Sequence, residues 1–324
     1  MPVTAPPRAL KARAPTRIDF GGGWTDVPPY STDMGGCVCN VAISLYSTVT
    51  LSEQPGGSTM VSGRQADTSL AQAALTRTGV TGVKATLEND FPVSAGLGGS
   101  SAAGVAMLGA LDRWCHGAPL DRAALAETSR DLEVRDLGIA GGRQDHYAAS
   151  FGGALGLWFG DTTRCEPIPL SATFAKEIAE RCVVAYTGES RVSADTIIGV
   201  MTAFQEDRGT VRTSLARMRE LAASMIDALK AEQLDELGGL VAEHWVCQRS
   251  LHPAIPTPTI DALLADAREA GAIGGKALGA SGGGCVLAIA APGRADNVRQ
   301  AMARRATLLP YHVDTAGFQW EYLT

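Results

Sequence analysis

Between Pro92 and Ala103 the chain reads PVSAGLGGSSAA, three glycines followed by two serines and the start of an apolar run at helical spacing. Glycine lets a backbone approach a phosphate closely. The first turn of a helix behind it offers unpaired N–H groups and the positive end of the helix dipole. Ser100 and Ser101 could give their hydroxyls to a phosphate oxygen or a Mg2+ ion, or simply cap the helix. A glycine-rich turn with a serine cap is the plainer alternative. The segment is not the GxxxxGK[ST] loop, since no lysine follows the last glycine, and it lacks the spacing of a dinucleotide fingerprint.

Other segments carry similar potential. Arg13–Tyr30 (RAPTRIDFGGGWTDVPPY) runs a strand into three glycines, then Trp24, Thr25, Asp26 and two prolines. Asp26 on such a turn can accept hydrogen bonds from sugar-like hydroxyls, and a charge within a strand, Arg17, needs a partner or a ligand. Gly274–Gly284 (GGKALGASGGG) leads into CVLAIA. So much backbone freedom suggests a tight contact with another loop or with phosphate, unless it is only a hairpin turn. Asp131–Tyr147 (DLEVRDLGIAGGRQDHY) places Asp145 behind a glycine turn and Glu133 on the preceding helix. Either acid could equally be a capping or solvated residue.

These groups need elements to hold them. Cys37–Leu51 and Val83–Leu87 read as strands, the first with a bend near Ser44, and Glu53–Ala66 reads as loop. Ser100–Cys115 and Leu120–Leu137 read as helices, and Gly152–Phe159 as a buried strand. The polar, proline-bearing stretch Thr162–Ser171 reads as a boundary between domains 1–172 and 173–324. Beyond it come the strand Cys182–Tyr186, helical patterns at 192–205, 209–230, 233–248 and 258–271, a glycine-rich turn, the strand Cys285–Ala290, the helix Asp296–Arg305 and a last strand near Phe318–Tyr322. Strands and helices mix without strict βαβ alternation, which favours an α+β protein over a doubly wound sheet.

Composition sets the class. A chain of 324 residues, 45% apolar and 19% charged, can bury a large core. A net charge of −6 argues against a general nucleic-acid binder, which needs a basic face. The seven cysteines are scattered without a CxxC pair or zinc spacing and read as reduced thiols. No apolar run approaches the ~20 residues of a membrane span, and the first residues lack the apolar stretch of a secretory signal. The expected location is cytoplasmic, with no membrane partner, as a monomer or homodimer.

In order and spacing, the segments around Arg17, Gly98 and Gly282 resemble the three motifs of the GHMP kinase family (galacto-, homoserine, mevalonate and phosphomevalonate kinases) across nearly the whole chain. The resemblance implies a GHMP kinase fold, with an N-terminal domain like the second domain of ribosomal protein S5 and a ferredoxin-like C-terminal domain. It implies ATP and Mg2+ as cofactors. Asp145 then matches the family's catalytic base and Arg17 its basic residue beside the transferred phosphoryl group. Pro92, Gly96, Leu97, Gly98, Gly99, Ser100, Ser101, Ala102, Gly282 and Gly283 match its nucleotide contacts. Glu133 matches the acidic Mg2+ ligand, with Asp131 and Asp136 as close rivals, and Ser101 is first choice for the hydroxyl ligand and Ser100 next. Asp26, Trp24, Tyr30, Arg191 and Gly283 fall at the acceptor. His146 stands where Gln or Asn is more usual, which leaves the hydrogen bonding there open. The loop carries one residue more between GLG and SA than the shortest family form.

FGGGWTDVPPYS, QDHYAASFGG (Gln144–Gly153) and YTGESRVS (Tyr186–Ser193) resemble the branch that phosphorylates the anomeric hydroxyl of sugars, heptose 7-phosphate kinases and L-fucokinases. Gly-Trp-Thr-Asp is closer to the fucokinase wording, and the compact length is closer to the heptose enzymes. The implied acceptor is D-glycero-D-manno-heptose 7-phosphate, with Arg143, Arg191 and Lys276 as candidate cations for its phosphate. L-Fucose or galactose, a non-sugar GHMP acceptor and a non-catalytic homologue are the alternatives.

Overall fold

The computed structural model describes residues 9–116, 121–189 and 194–323. Its strands are β1 (Ala9–Gly21), β2 (Gly36–Glu53), β3 (Met60–Ser62), β4 (Val83–Asn89), β5 (Ala154–Phe159), β6 (Thr163–Ile168), β7 (Cys182–Tyr186), β8 (Ala272–Ala277), β9 (Cys285–Ala290), β10 (Thr307–Leu308) and β11 (Gln319–Leu323). Its helices are α1 (Tyr30–Asp33), α2 (Gln65–Thr78), α3 (Gly99–Cys115), α4 (Arg122–Asp131), α5 (Gln144–Phe151), α6 (Ala172–Arg181), α7 (Ala194–Gln205), α8 (Gly209–Lys230), α9 (Leu234–Ser250), α10 (Pro258–Glu269) and α11 (Ala295–Ala303).

The strands form two sheets. The first has seven strands, with the path β11-β1-β2-β4-β3 and β5 and β6 branching from β2. The second has four, in the order β10-β7-β9-β8. The branching is possible because β2 bends: Thr16 pairs with Ile43 and Pro15 with Tyr46, so Ser44 and Leu45 bulge. Before the bulge β2 pairs with β5, and after it with β4. The bend expected near Ser44 is this bulge. The last strand, β11, returns to pair with β1 in the first sheet, although its sequence position is C-terminal.

Helix α3 lies against β1 and β2 with most of its length buried, Ser101 to Leu111 without a break. Its small residues allow close approach: a Cβ at Gly104 would sit 2.5 Å from Ser129 Oγ. The two sheets share one core, in which Phe20 and Val41 meet Met225, Val241 and Leu287. Helix α8 rests so closely on β1 that a Cβ at Gly21 would lie 2.4 Å from Met225 Sδ.

The expected boundary stretch Thr162–Ser171 contains a strand, β6, which among the described residues pairs only with β5. Pro167 is tolerated there because an edge strand can spare an N–H. Strand β3 forms within the expected loop by pairing parallel to β4, and α6 lies beyond the boundary with Ser171 capping it. The glycine-rich stretch after α10 begins as strand β8. A Cβ at Gly274 would fall 2.0 Å from the Gly238 carbonyl oxygen, so glycine lets α9 settle onto the strand. Among the described residues, no helix is long and apolar enough to cross a membrane.

Candidate active site

Strand β4 feeds the glycine loop, and the loop feeds α3. Gly96 and Gly98 both adopt left-handed backbone, at φ 73° and 76°. A Cβ at Gly96 would sit 2.6 Å from the Leu278 carbonyl oxygen, and one at Gly98 would sit 2.9 Å from Asp145 Cγ. Glycine is therefore required twice over, by conformation and by space. Gly98 is the N-cap of α3 and supplies no side-chain cap. The serines do not cap the helix either: they lie inside its first turn, after the N-cap position, and their hydroxyls donate to a carboxylate. The first-turn N–H groups of α3 are thus left for an anion.

That carboxylate is Glu133, buried on a single π-helical turn, Leu132–Asp136, that continues α4. Ser100 Oγ donates to its Oε1. Ser101 Oγ donates to its Oε2 at 3.1 Å, and His146 Nε2 lies 3.0 Å from the same oxygen. Burial pushes the Glu133 carboxyl up, but the His146 ring and the two hydroxyls outweigh it and leave it below its ordinary value. Among the described residues no group of three or more His, Cys, Asp or Glu could cage a metal. One carboxylate beside hydroxyls is instead a fit for Mg2+, which takes few protein oxygens and fills its octahedron with phosphates and water.

Asp145 begins α5. Arg17, on β1, donates from Nε to Asp145 Oδ1 at 2.7 Å and from Nη1 to the Gly96 carbonyl at 2.7 Å. Asp145 Oδ2 takes no donor among the described residues. Asp26, on the turn after β1, accepts the backbone N–H groups of Arg143 and Gln144 at Oδ2, at 2.9 and 3.1 Å. Gly142 makes room for it: a Cβ there would lie 1.9 Å from Asp26 Oδ2. Burial pushes the Asp26 carboxyl up to about 6, against the pull of those two N–H groups. Its Oδ1 has no protein donor among the described residues.

Arg17, Asp26, Trp24, Pro92, Gly96, Gly98, Gly99, Ser100, Ser101, Glu133 and Asp145 line one cavity of about 890 Å³. Others of the expected residues lie elsewhere. The Leu97 and Ala102 side chains are buried in the core. Tyr30 is buried edge-on against Phe204, with ring centroids 5.2 Å apart. Gly282 donates its N–H to Ile255, and Gly283 lies against the Glu189 carbonyl; from that turn Gly279 and Ala280 reach the cavity. Arg191 lies outside the described residues. Lys276 is fully buried, 2.9 Å from Asp19 Oδ2, and Arg143 extends to Glu127 at 3.4 Å.

Sequence reasoning overlooked Asp19, Gln144 and Arg64, which also line the cavity. Asp19 had a signal, since two residues after Arg17 on a strand places it on the same face. Burial pushes its carboxyl up, but Lys276, His244 and Arg17 outweigh that and hold it below its ordinary value. His244 accepts the Gly22 N–H at Nε2 at 2.8 Å.

The arrangement can hold a polyphosphate at the loop and an acceptor hydroxyl at Asp145. Residues 68–153 match the GHMP kinases N terminal domain and residues 225–307 the GHMP kinases C terminal domain. The chain is 27% identical to a bifunctional fucokinase/GDP-fucose pyrophosphorylase of Arabidopsis thaliana over 93% of its own length, but spans only 32% of that protein. It is 24% identical to a D-glycero-alpha-D-manno-heptose 7-phosphate kinase of Campylobacter jejuni, covering 92% of this chain and 94% of the relative. The crystal structure of a D-glycero-D-manno-heptose 1-phosphate kinase from Bacteriodes thetaiotaomicron shares the fold, with a TM-score of 0.79, 23% identity, and 97% and 99% of the two chains covered. The chain belongs to the GHMP kinase family, phosphotransferases with an alcohol group as acceptor.

Proposed function

We propose that the chain transfers the γ-phosphoryl group of ATP to the anomeric hydroxyl of a sugar, with D-glycero-D-manno-heptose 7-phosphate as the acceptor. The observation that carries the sugar reading is Asp26: its carboxylate lines the cavity, its Oδ2 is held by the Arg143 and Gln144 N–H groups, and its Oδ1 takes no donor among the described residues. A sugar hydroxyl can donate to that oxygen in a charge-assisted hydrogen bond.

In this reading Asp145 Oδ2 takes the proton of the acceptor hydroxyl. Arg17 fixes Asp145 through Nε and sets its positive charge beside the transferred group. The loop N–H groups and the start of α3 hold the donor phosphates. Glu133 Oε1 and a serine hydroxyl would hold Mg2+, which when bound neutralises phosphate charge. Ser100 is exposed, whereas Ser101 is buried and shared with His146, so Ser100 is favoured as that hydroxyl, the reverse of the order taken from the sequence. Arg143 and Lys276 already have carboxylate partners, which leaves Arg191 as the remaining sequence candidate for the substrate phosphate.

L-Fucose is the second reading, favoured by the Gly-Trp-Thr-Asp turn. ADP release measured with heptose 7-phosphate, L-fucose, galactose, mannose and mevalonate separates them. The proposal requires the highest kcat/KM with the heptose, and a large loss of it in Arg191→Ala. Turnover of mevalonate alone would sink the sugar reading.

A further inference from the structure

His146 is a residue at which the chain departs from the family wording, and its surroundings are specific. The ring is 2% exposed. Nδ1 lies 3.0 Å from Ser129 Oγ on α4. Nε2 lies 3.0 Å from Glu133 Oε2 and 3.3 Å from Ser101 Oγ on α3. Ser129 is itself fully buried and wedged against Gly104 of α3. One ring therefore joins α3, α4, the π-helical turn and α5.

The hydrogen bonds have a consistent assignment. Ser129 donates to Nδ1, which leaves Nε2–H to donate to Glu133 Oε2. Ser101 donates to the same oxygen. Oε2 is then occupied by two protein donors, and Oε1, on the side of the exposed Ser100, is the oxygen left for a cation. His146 also directly follows Asp145 in α5. The ring that orients Glu133 thus also fixes the helix that presents the carboxylate facing Arg17.

We propose that His146 is a positioning residue: with Ser129 behind it, it locks Glu133 so that Oε1 and the Ser100 hydroxyl present one divalent-cation site to the phosphates. The inference rests on the kinase reading above and assigns His146 no contact with substrate. Hydrogen-bond partners behind a ligand typically contribute 10- to 100-fold to metal affinity.

The test is Mn2+ binding in the presence of ADP, read as loss of the free-Mn2+ paramagnetic resonance signal beyond that caused by the same ADP without protein, on the full chain. ADP binding in EDTA is measured in parallel. His146→Leu should weaken Mn2+ binding by about 10- to 100-fold while leaving metal-free ADP binding unchanged. His146→Gln can donate to Glu133 and accept from Ser129 and should restore Mn2+ affinity to within about threefold, a rescue that mere space filling would not give. If His146→Leu does not fold, Ser129→Ala carries the test, with a several-fold loss expected. Unchanged Mn2+ affinity in His146→Leu or in Ser129→Ala overturns the proposal, as does a His146→Gln variant as weak as the leucine one. A wild type that binds no Mn2+ with ADP would overturn the kinase reading itself, and this inference with it.

Discussion

Replacing Asp26 by Asn should stabilise the protein while weakening its use of the acceptor. Asp26 is buried, and its carboxyl is pushed from 3.8 up to about 6. At 1.36 kcal/mol per pH unit, keeping that charge buried at neutral pH costs about 3 kcal/mol. For a raised carboxyl the favourable contribution is fully present below pH 3.8 and is lost as pH rises through about 6. Asparagine keeps an oxygen for the Arg143 and Gln144 N–H groups and carries no charge. Urea denaturation of wild type and Asp26→Asn should therefore agree near pH 4 and separate to about 2–3 kcal/mol in favour of the variant by pH 7.5. The same change removes a charge-assisted acceptor for a sugar hydroxyl, so kcat/KM for the acceptor should fall on the order of 10- to 100-fold. A stability difference that does not grow between pH 4 and pH 7.5 would show that Asp26 carries no costly buried charge.

Other predictions concern neighbouring groups. Gly98→Ala puts a Cβ 2.9 Å from Asp145 Cγ on left-handed backbone; it should cost about 1–2 kcal/mol in urea and lower kcat on the order of 100-fold by displacing Asp145. Lys276→Met strands Asp19 in a fully buried site; the expected loss is about 3–5 kcal/mol, largely recovered in Lys276→Met/Asp19→Leu, whereas full additivity would show that the pair is not coupled. Ser100→Ala should raise the Mg2+ concentration needed for half-maximal rate more than Ser101→Ala does, and the opposite order would return the metal to Ser101.

Much of the site was legible because its signals are local. Glycine at 96 and 98 is demanded by backbone conformation and close approach, and both demands leave a mark in the sequence. Asp145 and Glu133 stood out because they flank a glycine turn between two helices. What stayed hidden depends on partners far along the chain. The serines look like caps until Glu133, 33 residues from Ser100, takes their hydroxyls. Lys276 looks available to a phosphate until Asp19, 257 residues away, pairs with it. Strand β8 reads as a loop because its glycines answer to α9, whose approach no periodicity in the strand records. Strand β6 was masked by a proline that only an edge position permits.

Phosphoryl transfer to an anomeric hydroxyl at Asp145 and Arg17, as proposed, is tested by phosphorus NMR of the product formed from MgATP and D-glycero-D-manno-heptose 7-phosphate, run beside Asp145→Asn. The expected outcome is a new phosphate resonance coupled to the anomeric proton, one ADP per product, and on the order of a hundredfold or greater loss of rate in the variant. A phosphate on any other position, or an Asp145→Asn variant with undiminished rate, would contradict it.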